Sequence, residues 1–287
     1  MSFIDNLRTT TFASPYDGSE RELLVSLPVT FKGSRSYPLV VSPHPFGWSH
    51  FENYAKGAAD LLEAFRGWAR ISERYQVLIA LPLGHGRVFE RVSLGWEAQI
   101  EDLAAMPRIL EEAGMRIRSD KVYIAGLSMG GMETLTAMGK HPDTFRAGAS
   151  FNGISDLAKF YDDVVAGVTD KKLRDMGVEK VVAEEVGGTP QEKPEEYRKR
   201  SAVNYIDALA RTNLMIWWSS RESCVSNQES KQTRFLYQQI KAKNPGAEVH
   251  EHDHSFEHGF TRFDTQERIR CHEFCDFERA VQWLLNY

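Results

Sequence analysis

The chain has 287 residues, of which 42% are hydrophobic and 26% are charged, as expected for a soluble globular protein. This length suits one large α/β domain and leaves room for a sizeable core. The formal net charge of −5 argues against nucleic acid or an anionic membrane as the main partner. No apolar run reaches about 18 residues, so the sequence predicts no transmembrane helix.

The N-terminus and the cysteines favour a cytoplasmic location. The first eight residues lack a basic segment followed by an apolar one, so we expect no signal peptide. The cysteines are Cys224, Cys271 and Cys275, and an odd, low count fits a reducing compartment. Cys271 and Cys275 lie four residues apart on a predicted helix, where such residues usually face a core. Because the sequence offers no second ligand pair, we predict no metal site and no cofactor.

Apolar patterns predict strands and helices that alternate along most of the chain. Segments 9–14 and 22–27 flank an Asp-Gly pair at 17–18, which predicts a β-hairpin. Further strands are predicted at 37–43, 77–82, 122–126, 147–152, 214–218 and 247–252. Helices are predicted at 54–75, 97–113, 132–138, 228–243 and 274–285.

This order predicts the fold class. Continuous apolar strands that alternate with helices are typical of a parallel sheet covered on both faces, and the hairpin adds antiparallel strands at one edge. We therefore predict a single α/β domain over residues 1–287, with a mostly parallel central sheet flanked by helices. Residues 155–205 are charged and break the alternation. They are interpreted as a helical cap insertion, with a long solvated crossover as the alternative.

The strongest motif is Gly126-Leu127-Ser128-Met129-Gly130, which stands between an apolar run and a helix-like segment. A serine on a tight strand-to-helix turn needs these glycines, because side chains there would collide with neighbouring backbone. The turn places the hydroxyl at a helix N-terminus, where N–H groups and the helix dipole favour negative charge. The pattern predicts Ser128 as a nucleophile, and an incidental glycine-rich turn is the alternative.

A serine hydroxyl needs a base to take its proton, and the base needs an acid to orient it. His258 precedes a glycine on the loop after the last predicted strand, where the base is expected, and His254 is the second candidate. Glu222 is the carboxylate in the loop after strand 214–218. It is the predicted acid, and Asp156, after the preceding strand, is the alternative.

Backbone N–H groups must stabilise the oxyanion. One is expected from Met129, which follows the nucleophile, and the other from the loop after strand 37–43. Pro45 in that loop has no N–H, so Phe46 is the predicted donor and Gly47 the second choice.

The elbow, the oxyanion loop and the acid and base loops together resemble the α/β-hydrolase superfamily. The closest similarity is to the catalytic domains of prolyl-oligopeptidase-like proteins and to related single-domain esterases, over residues 20–285. The segments that carry it are 126–131, 44–47, 200–205, 222–225 and 258–260. The resemblance implies a serine hydrolase with a Ser-His-acid triad. The chain differs at Pro45, where the family has glycine, and at Glu222, where it has aspartate.

These residues predict a carboxylic ester hydrolase that acts through an acyl-enzyme on a small-molecule ester. Trp48 and Trp96 are predicted to bind substrate, with a place in the core as the alternative. No propeller-like segment precedes the catalytic part, which favours esters over peptides. A serine peptidase or amidase remains the alternative, with acidic pairs at 184–185 or 195–196 as candidates to bind a substrate amine. A catalytically inactive binding protein is disfavoured by the complete set of Ser, His and Glu. The sequence leaves homo-oligomer formation open.

Overall fold

The computed structural model describes residues 7–46, 67–253 and 277–287. Within these ranges one sheet contains eight strands in the order β1-β2-β4-β3-β5-β6-β7-β8. The strands are β1 (Leu7–Ala13), β2 (Glu20–Ser26), β3 (Ser36–Val41), β4 (Leu78–Pro82), β5 (Arg116–Leu127), β6 (Ala147–Phe151), β7 (Leu214–Trp218) and β8 (Val249–Asp253). β2 pairs antiparallel with β1 and β4, and all other neighbours are parallel, which confirms the predicted sheet.

Helices cover both faces of the sheet, as the continuous apolar strands predict. The helices are α1 (67–75), α2 (Glu97–Glu112), α3 (Met129–Lys140), α4 (Leu157–Val165), α5 (Lys171–Asp175), α6 (Val178–Val186), α7 (Pro194–Lys199), α8 (Ile206–Leu209), α9 (Thr233–Lys243) and α10 (Phe277–Leu284). Apolar residues of α2, α3, α8 and α9 pack on one face, and those of α1 and α10 pack on the other. Among the described residues, none of the helices could span a membrane.

The two largest differences between predicted and observed element starts, at β5 and α9, have physical reasons. β5 begins at Arg116, six residues before the predicted start, because its polar first half pairs with β3 at the sheet's end and carries no continuous apolar signal. α9 begins at Thr233 rather than at 228. The carbonyl of Asn227, which has φ 60°, accepts N–H groups of residues 230–232 and holds them in a turn.

The segment predicted as an insertion contains helices α4 to α7. Their apolar side chains form one buried cluster with Phe46, Met129 and Met132. Met129 and Met132 belong to the first turn of α3, directly after the strand that carries the nucleophile motif. The helical segment therefore packs over the nucleophile end of the sheet. Three parts of the prediction lie outside the described residues: the first part of the helix predicted at 54–75, the start of the helix predicted at 274–285, and the cysteines Cys271 and Cys275.

Candidate active site

Ser128 occupies the turn between β5 and α3. β5 ends at Leu127 and α3 begins at Met129, so the serine alone makes the change of direction. Its backbone has φ 57° and ψ −115°, a conformation that costs a residue with a side chain about 1–3 kcal/mol. The Ser128 N–H donates to the Phe151 carbonyl at 2.9 Å, and this bond fixes the turn to the end of β6. Strain at a fixed nucleophile position is a common feature of functional sites.

The glycines of the motif allow backbone contacts that a side chain would prevent. A Cβ on Gly126 would lie 2.3 Å from the Gly130 carbonyl oxygen. A Cβ on Gly130 would lie 2.2 Å from the carbonyl oxygen of Pro43, in the loop after β3. The steric reason for the Gly-x-Ser-x-Gly pattern is therefore present in the structure.

The same close approach brings the predicted oxyanion residues together. The loop after β3 touches Gly130, and the side chains of Phe46 and Met129 are buried in one apolar cluster. Met129 is the first residue of α3, so its N–H is among the amides without an acceptor inside the helix. His44 supports the loop, with ring nitrogens 3.0 Å from the Pro45 carbonyl and 3.1 Å from that of Leu83. Burial lowers the pKa of His44. That Phe46 and Met129 bind an oxyanion remains a prediction.

Glu222 lies buried in the loop after β7, at the same edge of the sheet. Its Oε1 accepts the N–H groups of Cys224 at 2.8 Å and Val225 at 3.0 Å. Its Oε2 accepts the Asn152 amide Nδ2–H at 2.5 Å. The alternative acid, Asp156, instead caps α4 by accepting the Lys159 N–H at 3.1 Å. The carboxylate of Glu222 is thus held at the strand ends, while that of Asp156 serves a helix.

The other predicted residues are placed as follows. His258, His254, Trp48 and Gly47 lie outside the described residues, so their roles stay predictions. Trp96 precedes α2, and its half-buried ring lies beneath the Arg200 guanidinium, 4.9 Å from the ring centroid. The Trp96 ring therefore stacks on a buried cation beside the elbow helix, and its contact with substrate stays a prediction.

A buried carboxylate that the sequence reading missed lies behind the elbow. Glu133, in the second turn of α3, accepts hydrogen bonds from Ser93 Oγ, from Gln99 Nε2 at 3.1 Å and from the Gly95 N–H. Burial raises the pKa of Glu133 to about 7, although the three hydrogen bonds oppose this shift. Gln99 Oε1 has no hydrogen-bond partner within the described residues. Glu133 thus ties the loop before α2 to the helix that follows the nucleophile.

A second carboxylate, Glu185 of α6, was considered from the sequence only as part of the 184–185 pair, and the structure shows it fully buried. It accepts the N–H groups of three successive residues, Arg87 at 2.5 Å, Val88 at 2.8 Å and Phe89 at 3.1 Å. Arg200 also lies close, with Nη1 3.7 Å from Oε1. This set of contacts occupies the Glu185 carboxylate.

The acidic pairs considered as amine binders are therefore used in other ways. Glu184 is exposed, whereas its neighbour in α6 holds the 87–89 loop, so the two do not present a joint carboxylate pair. In α7, Glu195 pairs with Arg198 at 2.8 Å and Glu196 pairs with Lys199 at 3.0 Å. Neither pair has the arrangement expected of a substrate-amine clamp.

A separate Ser, Asp and His group near the β1–β2 turn does not have triad geometry. His85 Nδ1 lies 2.7 Å from Asp102, while Ser14 Oγ donates to the other oxygen of Asp102 at 2.5 Å. The second nitrogen of His85 faces Asp17 at 3.4 Å. Because the serine contacts the carboxylate rather than the imidazole, this histidine does not activate it. The group fastens the hairpin turn to α2.

Comparisons with known structures agree with this architecture. The acylaminoacyl peptidase of Pyrococcus horikoshii superposes with a TM-score of 0.66 at 19% identity, over 98% of this chain and 42% of the peptidase. A thermostable esterase gives 0.58 at 19% identity, over 99% of this chain and 64% of the esterase. S-formylglutathione hydrolase (FrmB) of Staphylococcus aureus gives 0.61 at 12% identity, over 97% of this chain and 98% of that enzyme. These similarities show the α/β-hydrolase fold.

The sequence comparison gives the family. The sequence profile of the prolyl oligopeptidase family (peptidase family S9) matches residues 84–280, which include the Ser128 elbow, Glu222 and His258. The chain spans 35% to 42% of the length of four peptidases of known structure that it matches. Because the profile match covers more than half of this chain, the chain belongs to the prolyl oligopeptidase family.

Proposed function

We propose that the chain is a serine hydrolase that cleaves carboxylic esters through an acyl-enzyme intermediate. The observation that carries the proposal is the strained Ser128 turn, joined through the end of β6 to the buried Glu222 carboxylate. In this proposal the loop after β5 carries the nucleophile and the loop after β7, two strands away in the sheet, carries the acid of a triad. The base is expected from His258.

The proposed reaction has two halves. Ser128 Oγ attacks the ester carbonyl carbon while His258 accepts its proton, and the N–H groups of Met129 and Phe46 bind the oxyanion. The tetrahedral intermediate collapses, the alcohol leaves with the proton from His258, and the acyl group remains on Ser128. Water then attacks the acyl-enzyme with His258 as base, which releases the carboxylic acid. Glu222 orients His258 and stabilises the imidazolium in both halves.

The contacts of the acidic pairs favour esters over peptides. A peptidase that recognises a free N-terminus needs carboxylates presented to the substrate amine. Glu185 of the first pair holds the 87–89 loop, and both members of the 195–196 pair form ion pairs, as described above. The two esterase-type neighbours support the same choice. Family membership and the similarity to an acylaminoacyl peptidase keep a peptidase or amidase acting on short peptides as the second candidate.

The nucleophile is tested by Ser128→Ala. We expect kcat on a short p-nitrophenyl ester to fall on the order of 10⁶-fold, together with loss of labelling by a fluorophosphonate probe. Ser34→Ala, at an exposed serine, is the matched control and should behave as wild type. His258→Ala should lose a similar factor and His254→Ala should not. Retained labelling of Ser128→Ala would refute the assignment.

The substrate class is tested by a panel. Wild-type enzyme at equal concentration is offered acyl p-nitrophenyl esters and aminoacyl or acylaminoacyl p-nitroanilides, whose chromogenic products are both read by absorbance. The proposal requires kcat/KM on the best ester to exceed that on the best anilide after correction for their intrinsic hydrolysis rates. An anilide that is preferred after this correction would establish the peptidase alternative.

A further inference from the structure

The two oxygens of the Glu222 carboxylate are held from different parts of the fold. Oε1 accepts two N–H groups of its own loop, from Cys224 and Val225. Oε2 accepts the side-chain amide of Asn152, which is 70 residues away in the sequence. The first contact fixes the position of the carboxylate relative to its loop. The second fixes the orientation of the carboxylate relative to the neighbouring strand.

Asn152 is itself held by the main chain at the end of β6. It is 1% exposed, and its N–H donates to the Trp217 carbonyl of β7 at 2.8 Å. Its φ of 42° lies in the left-handed region, which Asn, Asp and Gly tolerate better than other residues. The backbone conformation therefore aims the amide at the loop that follows β7.

One peptide group connects this residue to the nucleophile. The Phe151 carbonyl, which accepts the Ser128 N–H at 2.9 Å, and the Asn152 N–H belong to the same peptide unit. The Asn152 side chain then reaches Glu222 at 2.5 Å. A short, rigid path of hydrogen bonds therefore runs from the nucleophile turn to the predicted triad acid.

We propose that Asn152 is a positioning residue that sets the orientation of the Glu222 carboxylate toward the catalytic histidine, and this rests on the proposed function. A carboxylate oxygen can accept two hydrogen bonds, so Oε2 can receive both the asparagine amide and an imidazole N–H. With Oε1 held by its loop and Oε2 by Asn152, both oxygens of the carboxylate keep a fixed orientation. Such support is what keeps a catalytic group within the narrow range of productive geometry.

The residue type follows from two requirements that act together. The left-handed backbone admits Asn, Asp and Gly most readily, and the contact with Glu222 needs a donor. Glycine meets the first requirement and lacks the donor. Aspartate meets the first and, when ionised, places a second carboxylate against Glu222. Asparagine meets both.

The test uses these substitutions, because neither adds backbone strain. For Asn152→Gly we expect kcat for the ester to fall about 10- to 100-fold, the range for losing a hydrogen bond to a charged group, with KM within about threefold. For Asn152→Asp we expect a loss of ester-hydrolysing activity that depends on pH. The activity of this variant relative to wild type should rise as pH falls from about 8 to about 5.5, because the introduced carboxyl group, once protonated, can again donate to Glu222.

The matched control is Asn227, which has φ 60° and donates through Nδ2 to Asp163 at 2.7 Å. It is the same kind of contact at the same kind of backbone position, but with a carboxylate of α4. Asn227→Gly should lower the melting temperature and leave kcat within about twofold. A fall in kcat as large as that of Asn152→Gly would show that the effect is general destabilisation and would overturn the proposal.

A double-mutant cycle separates this inference from the proposed function. Glu222→Gln alone should reduce kcat about 10⁴-fold, as loss of a triad acid does. If Asn152 acts through Glu222, adding Asn152→Gly to the Glu222→Gln variant should lower kcat by less than about a further threefold. A full additional loss there, or an Asn152→Gly variant with wild-type kcat, would overturn the positioning role while Glu222 stays the acid. Wild-type kcat in Glu222→Gln would overturn the acid assignment itself, and the positioning role with it.

Discussion

Main-chain contacts hold the nucleophile elbow, whereas buried carboxylates hold the loops around it. At the elbow, Gly126 and Gly130 let backbone atoms approach more closely than a Cβ would permit. In the loops, Glu133 and Glu185 accept N–H groups of other segments, and Glu222 accepts N–H groups of its own loop. The elbow thus depends on the absence of side chains, and the loops depend on particular side chains, which for Glu133 and Glu185 are far away in the sequence.

The two kinds of contact differ in their response to change. Close-packed backbone does not relax easily, so an added methyl group at the elbow must displace a strand or a helix. A carboxylate that accepts several N–H groups holds a loop as long as its charge and shape are kept. When the carboxylate is replaced, buried N–H donors lose their acceptor. The loss of stability then depends on how many of these donors are left without a hydrogen bond.

The largest expected effect is at the elbow. For Gly130→Ala we expect a loss of about 4 kcal/mol in the free energy of unfolding, beyond the usual range for overpacking. The reason is the 2.2 Å separation between the new Cβ and the Pro43 carbonyl oxygen. Urea unfolding measures this loss. Gly33→Ala is the control, because a Cβ at Gly33 would meet no described residue within 4 Å apart from its chain neighbours. Similar stabilities for the two variants would show that the elbow can relax.

The next effect concerns the Glu185 anchor. For Glu185→Gln we expect a loss of about 3 kcal/mol in the free energy of unfolding. The buried charge of Arg200 loses its carboxylate partner, and the new side-chain amide must point N–H groups at the N–H groups of residues 87–89. Glu184→Gln, at the exposed neighbouring position, is the matched control and should change stability by less than about 0.5 kcal/mol. Equal melting temperatures for the two variants would contradict a structural role for the buried carboxylate.

The same comparison explains which parts of the molecule the sequence predicts. The elbow, the hairpin at Gly18 and the parallel strands are encoded by neighbouring residues, and the structure confirms them. The pairings of Asn152 with Glu222 and of Arg87 with Glu185 join residues 70 and 98 positions apart, which no local pattern records. One signal was available, because a polar residue at the end of a buried parallel strand often faces a site.

The smallest effect, at Glu133, depends on pH. Because burial raises the pKa of Glu133 from 4.5 to about 7, the folded chain holds this proton more tightly than the unfolded chain does. Protonation of Glu133 thus contributes stability that is fully present below pH 4.5 and is lost as pH rises through about 7. As pH rises from about 5.5 to about 8, the free energy of unfolding of the wild type should fall by about 2 kcal/mol relative to that of Glu133→Gln.

The Glu133→Gln variant is expected to fold because Gln99 can adapt to it. Gln99 Oε1 lacks a partner among the described residues, so a flip of the Gln99 amide lets this oxygen accept the new amide hydrogen at position 133. Urea unfolding of both proteins at the two pH values measures the difference, with Glu111→Gln on the exposed face of α2 as control. Stability curves that stay parallel for wild type and Glu133→Gln would show that Glu133 is ionised throughout. In that case its three hydrogen bonds outweigh its burial, and Glu133 holds its loop by charge rather than by a shared proton.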